Sequence, residues 1–159
     1  MVKAGDKIPS VPLKESTPGD SIDLSKELGS GKSVIVGVPA AFSPACTDKH
    51  IPGYISAWKD LKAKSYDHLV VISVNDPFVT AAWKKTFPKE AESFRFLADP
   101  EGKFNNELGL LFNSAAVFGN NRSKRYALLV KDGKVVKDFV EPDNTSVNVS
   151  DASKVVPEA

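Results

Sequence analysis

The chain has 159 residues, of which 42% are apolar and 26% charged, and a formal net charge of +1. A chain of this length buries roughly two thirds of its unfolded surface, so it can hold a core without disulfides or a structural metal. The near-neutral balance and scattered lysines exclude the basic excess of a nucleic-acid binder, and no apolar stretch approaches the ~20 residues of a membrane span.

Residues 1 to 30 are rich in Pro, Gly and Ser, with short apolar patches at 8–13 and 22–24 that predict edge strands or a hairpin. Residues 33–38 (SVIVGV) are nearly continuous β-branched sequence, the pattern of a strand buried on both faces. A helix is expected next, capped by Ser43 with Pro44 at its first position, where a missing N–H costs nothing. Ile51, Tyr54, Ile55, Trp58 and Leu61 then recur at offsets of three and four, marking one apolar face, and Pro52-Gly53 is expected to kink or split that helix.

Residues 69–74 (LVVISV) predict a second buried strand, followed by the helix-start signal Asn75-Asp76-Pro77 and a short helix over 79–87. A third strand is predicted at 94–97, then a turn at 99–102 and a short helix over 103–108. Residues 113–124 carry no regular pattern and are expected to be a loop. Strands at 126–130 and 135–140 flank Asp132-Gly133, a strong hairpin signal, and Ser150 is expected to cap a last short helix. The order predicts an α/β fold, with a central mixed sheet flanked by helices.

The chain has one cysteine, Cys46, so no internal disulfide can form. The opening MVKAGDKIPS contains neither the apolar segment of a secretory signal nor an arginine-rich presequence, which predicts a reduced, cytoplasmic protein. In that setting the sequons at Asn121, Asn144 and Asn148 read as chance matches.

Cys46 falls in the first turn of the expected helix, where unpaired N–H groups and the positive end of the macrodipole favour a thiolate. Magnitudes show that the helix does not suffice. The dipole supplies ~0.3–1 kcal/mol, whereas moving a thiol from ~8.5 to about 6 requires ~3.4 kcal/mol. Further donors or a cation must contribute. Ser43 lies three residues before the cysteine, and Arg125, one of only three arginines, stands at the mouth of the strand over 126–130.

Ser43-Pro44-Ala45-Cys46 also keeps only the second cysteine of a Cys-x-x-Cys pair, so a disulfide within the motif is excluded. A thiolate surrounded by donors suits attack on a peroxide oxygen. His50, four residues after Cys46, can brace the helix through a hydrogen bond or act as a base. Two histidines and one cysteine do not have metal-site spacing, and no metal or cofactor is expected.

Pro39-Ala40-Ala41-Phe42-Ser43-Pro44-Ala45-Cys46 resembles the peroxiredoxin signature P-x-x-x-(T/S)-x-x-C. The run through Lys49-His50-Ile51-Pro52-Gly53-Tyr54 is similar to the atypical type II, or peroxiredoxin 5, subgroup. Further matches at 74–79, 96–100, 117–120 and 125–128 extend the resemblance over most of the chain.

The resemblance implies one thioredoxin-like domain over residues 1–159 and thiol-dependent peroxidase activity, with Cys46 as the peroxidatic cysteine. It assigns Ser43 and Arg125 to peroxide and thiolate, Pro39 to shielding the site, the N–H of Ala45 to the donor set and Phe118 to the apolar side of the pocket. It also implies a homodimer. The segment 141–150, where some members carry a resolving cysteine, has none here. An external thiol (glutathione, glutaredoxin or thioredoxin) is therefore expected to reduce the sulfenate. Two other readings stay open at this point: a monothiol exchanger acting without peroxide, and a non-catalytic redox sensor.

Overall fold

The computed structural model describes residues 1–159. In chain order it contains β1 (Pro12–Leu13), β2 (Ile22–Asp23), α1 (Leu24–Glu27) and β3 (Lys32–Val38). A π-helical turn at Cys46–His50 leads into α2 (Ile51–Ala63), followed by β4 (Tyr66–Ser73), α3 (Pro77–Lys84), β5 (Arg95–Ala98) and α4 (Lys103–Glu107). Then come β6 (Leu111–Phe112), α5 (Ala115–Phe118), β7 (Arg122–Ser123), β8 (Tyr126–Lys131), β9 (Lys134–Val140) and α6 (Ala152–Val155).

Five strands form a mixed sheet in the order β5-β4-β3-β8-β9. β3 lies at its centre, parallel to β4 and antiparallel to β8. This is the α/β architecture with a central mixed sheet that the element order predicts, and it agrees with the thioredoxin-like fold that the resemblance implies.

The β-branched run of β3 is buried on both faces because successive side chains serve two cores. Val34, Val36 and Val38 pack with Tyr54, Trp58 and Leu61 of α2 and Trp83 of α3, whereas Ile35 packs with Leu13, Leu24 and Phe104 on the opposite face. β4 and β8 alternate in the same way: Leu69 and Val71 join the first core, Val70 and Ile72 the second.

Outside the sheet's own ladders, the N-terminal segment bridges both outer strands. Lys14 pairs with Ala98 of β5, and Lys7 with Lys134 of β9. Arg95 of β5 adds a two-pronged ion pair to Glu15, each bond 3.0 Å long. No helix is long and apolar enough to cross a membrane.

Three local expectations are corrected. Residues 113–124 are not a patternless loop: α5 and β7 lie within them, and β7 pairs antiparallel with β6. Two-residue strands are too short for side-chain alternation to register. The cap of α6 is Asp151, whose carboxylate accepts the Ser153 N–H at 3.0 Å, while the Ser150 side chain turns inward to Glu141. The irregularity expected at Pro52-Gly53 sits upstream, as the π turn. Pro52 has no N–H to offer the Asp48 carbonyl and its ring would crowd it, so the chain widens by one residue before the proline and α2 then runs unbroken.

Gly37 of β3 faces the ring of Tyr126, its register partner in β8. A Cβ there would lie 2.0 Å from the ring, and the Tyr126 hydroxyl is fixed by donating to Asn105 at 2.9 Å. Gly37→Ala is therefore expected to lower stability by about 1–3 kcal/mol or more, read as a shifted urea midpoint.

Candidate active site

The antiparallel pairing of β3 with β8 decides where the chemistry sits. The C-terminal end of β3 lies beside the start of β8, so the residues following Val38 and those preceding Tyr126 converge at one end of these neighbouring strands. Pro39 and Ala40 are buried there. The loop is held by Asn75, whose side-chain oxygen accepts the Ala41 N–H at 3.1 Å. Phe42 adopts a left-handed φ of 66°, uncommon for a bulky residue, with its half-exposed ring tilted against Trp83.

Cys46 opens the π turn and is fully buried. The Ile51 N–H donates to the Cys46 carbonyl five residues back, and this wider turn directs Cys46 and His50 inward together. The expected Ser43 cap takes a different form. Its hydroxyl receives no helix N–H; it stands 2.8 Å from Cys46 Sγ and 2.9 Å from the Ala40 carbonyl. With one proton to give, the hydroxyl donates to the sulfur when the sulfur is a thiolate. When the sulfur carries a proton, the hydroxyl accepts it and donates to Ala40.

Arg125 is buried, and each nitrogen of its fork has a partner. Nε donates to the Thr145 carbonyl at 2.9 Å, Nη1 to His50 Nδ1 at 3.1 Å and Nη2 to Cys46 Sγ at 3.4 Å. None of the ion pairs in the molecule includes it. Its partners are therefore two neutral acceptors and the sulfur.

His50 accepts from Arg125 at Nδ1, so its ring proton sits on Nε2, which donates to the Ser150 carbonyl at 3.1 Å. Tyr54 donates to the same carbonyl at 2.6 Å. Burial, and secondarily the Arg125 charge, push the His50 pKa down to about 3. The imidazole is thus neutral with its free lone pair occupied, an arrangement for bracing rather than for proton abstraction.

The remaining sequence candidates fall elsewhere. Ala45 is half-buried beside Cys46. Phe118, on α5, is half-buried under the guanidinium of Arg122, 5.1 Å from its ring centroid, and is not part of the hydrogen-bonded cluster. Arg122 lies on β7, partly buried, with Nη1 unpartnered. Asp48 is exposed in the first turn and bridges to no arginine. No three His, Cys, Asp or Glu side chains gather as a metal site would require.

Sequence reasoning missed the carbonyls of Thr145 and Ser150, the hydroxyl of Tyr54, and Thr47, which accepts from Trp83 Nε1 at 3.1 Å. The carbonyls leave no trace in residue identity. Tyr54 figured in an apolar face and in the run that carries the resemblance, with no use assigned to its hydroxyl.

A fixed sulfur with a hydroxyl and a cation trained on it is suited to a two-electron attack on a small, polar, weakly bonded substrate. Comparison with known proteins fits this chemistry. The Redoxin family model matches residues 3–156. The peroxisomal membrane associated protein 20 of Schizosaccharomyces pombe is 42% identical over 157 residues, covering 98% of each chain. Among solved structures, reduced Prx3 from Vibrio vulnificus in complex with H2O2 superposes with a TM-score of 0.91 at 34% identity over all of both chains. Peroxiredoxin 5 from Alvinella pompejana gives 0.86 at 37% identity over 99% of each. The chain belongs to the redoxin family, as a peroxiredoxin of the peroxiredoxin 5 type with a single cysteine. It is a thiol-dependent peroxidase.

The depressed His50 pKa has a consequence for stability. The unfolded chain takes up a proton at this histidine near the ordinary 6.5, while the folded protein resists it down to about 3. The folded state is therefore progressively disfavoured as pH falls from 6.5 towards 3. Urea unfolding across that range is expected to show this loss, and His50→Gln, which has no such proton to accept, a shallower slope.

Proposed function

We propose that Cys46 is the peroxidatic residue and that Ser43 and Arg125 are its catalytic partners, with the N–H groups of Ala45 and Cys46 completing the donor set. The observation that carries this reading is a buried sulfur 2.8 Å from the Ser43 hydroxyl and 3.4 Å from Arg125 Nη2. Pro39 shields the site, His50 supports Arg125, and Phe118 lines the apolar approach by resemblance alone.

In the first half-reaction the thiolate attacks one oxygen of hydrogen peroxide or an alkyl hydroperoxide. An S–O bond forms and the O–O bond breaks, with sulfur oxidised to sulfenic acid by two electrons. The departing oxygen takes up a proton and leaves as water or alcohol. Arg125 and the hydroxyl of Ser43 stabilise charge on both sulfur and departing oxygen.

The second half-reaction needs thiols from outside, since Cys46 is the only cysteine. A first thiol condenses with the sulfenic acid, releasing water and leaving a mixed disulfide. A second thiol then frees Cys46 and departs as a disulfide. Glutathione, glutaredoxin and thioredoxin are the candidate reductants. The residues from 1 to 159 act as one domain, and a homodimer is the expected assembly. Exposed Phe42, Phe78 and Val117 provide apolar surface for one.

A free cysteine that must be recycled by thiols suits the cytoplasm. The name of the Schizosaccharomyces pombe relative makes peroxisomes the alternative, which imaging of a fluorescent fusion distinguishes.

Cys46→Ser is expected to abolish peroxide consumption in stopped flow, and Arg125→Ala to slow attack by about 100-fold. Rates equal to the parent would overturn the assignment. Intact mass after one equivalent of peroxide is expected to rise by one oxygen, and a glutathione adduct should form when glutathione follows. Disulfide exchange without peroxide turnover would indicate a monothiol exchanger instead.

A further inference from the structure

The segment following β9 has little regular structure, yet it supplies two of the acceptors on which the site depends. Thr145 O receives Arg125 Nε, and Ser150 O receives both His50 Nε2 and Tyr54 Oη. One side chain fastens this segment from within. Glu141 is 1% exposed, and its Oε1 accepts the Asn148 N–H at 2.7 Å, the Ser150 N–H at 2.9 Å and the Ser150 hydroxyl at 3.0 Å.

Its backbone is joined to the same place. The Glu141 N–H donates to the Arg125 carbonyl at 3.0 Å, and the Arg125 N–H donates to the Asn144 carbonyl at 2.7 Å. Oε2 is buried without a partner. Burying a carboxylate is expensive, and three converging donors on one oxygen at the point where the segment turns back are a specific use for it.

We infer that Glu141 is a positioning residue for the peroxidase reaction: by gathering Asn148 and Ser150 onto one carboxylate oxygen, it sets the Ser150 carbonyl that orients His50 and closes the loop that carries the Thr145 carbonyl to Arg125. It touches neither the sulfur nor the peroxide. Its effect passes through the Arg125 fork, whose Nη2 must stay within reach of Cys46 Sγ, and the inference rests on the roles proposed above for Cys46 and Arg125.

The test compares Glu141→Ala, Ser150→Ala and Arg125→Ala with an Arg95→Ala control, which loses the Glu15 pair of β5 far along the chain from the site. For each folded variant, thermal stability, thiolate absorbance at neutral pH and the second-order rate constant for hydrogen peroxide are measured. Glu141→Ala is expected to lose thiolate absorbance and to react about tenfold more slowly. Ser150→Ala, which removes one of the three bonds, should react about two- to threefold more slowly. Arg95→Ala should lose stability with its rate constant unchanged.

If Glu141→Ala loses stability alone, keeping the parental absorbance and rate constant while Arg125→Ala is slowed, the positioning role is overturned. If Arg125→Ala is also unaffected, the failure belongs to the underlying site assignment. Should Glu141→Ala not fold, Ser150→Ala decides: parental values in both readouts would overturn the inference.

Discussion

The structure depends at its functional end on one buried guanidinium with no carboxylate beside it. Arg125 joins three stretches far apart in the chain: the π turn through Cys46 and His50, the start of β8, and the segment beyond β9 through Thr145. Each partner is neutral except, on ionisation, the sulfur. In a site where water cannot compensate the cation, this asymmetry directs the electrostatic demand at a single atom. The sulfur at the helix start thus has beside it a cation that the chain brings from 79 residues downstream.

The sheet makes that meeting possible. Cys46 follows the central strand and Arg125 precedes its antiparallel neighbour, so both arrive at the same end of the two strands without a long excursion of either chain segment. Small peroxides need little room beside the sulfur. A surface groove of about 730 Å3 lies instead by Phe87 and Phe96, away from the hydrogen-bonded cluster.

The strands of the central sheet were legible because each is a β-branched or apolar run bounded by turn residues, and the meeting of Cys46, Ser43 and Arg125 because a helix-start thiol calls for a nearby donor and cation. The rest was hidden for identifiable reasons. Backbone carbonyls at Thr145 and Ser150 have no side-chain signature. Glu141 occurs in a Glu-Pro-Asp-Asn turn sequence indistinguishable from solvent-exposed surface until the chain folds around it. The Pro52 kink was foreseeable as an event but not in position, since the steric conflict with Asp48 is relieved by the turn before it. His50 left two uses open, and only its placement between Arg125 and Ser150 selected one.

The N-terminal segment that bridges β5 and β9 has a bearing on how copies of this chain meet. An outer strand with open N–H and C=O groups invites a neighbouring molecule to extend the sheet indefinitely. Here Lys14 occupies Ala98 on one side and Lys7 occupies Lys134 on the other, each a lysine and each within the first fifteen residues. One end of each outer strand is thereby capped by the same short stretch. A neighbouring chain adding as a strand at Ala98 or Lys134 would first have to displace these pairings.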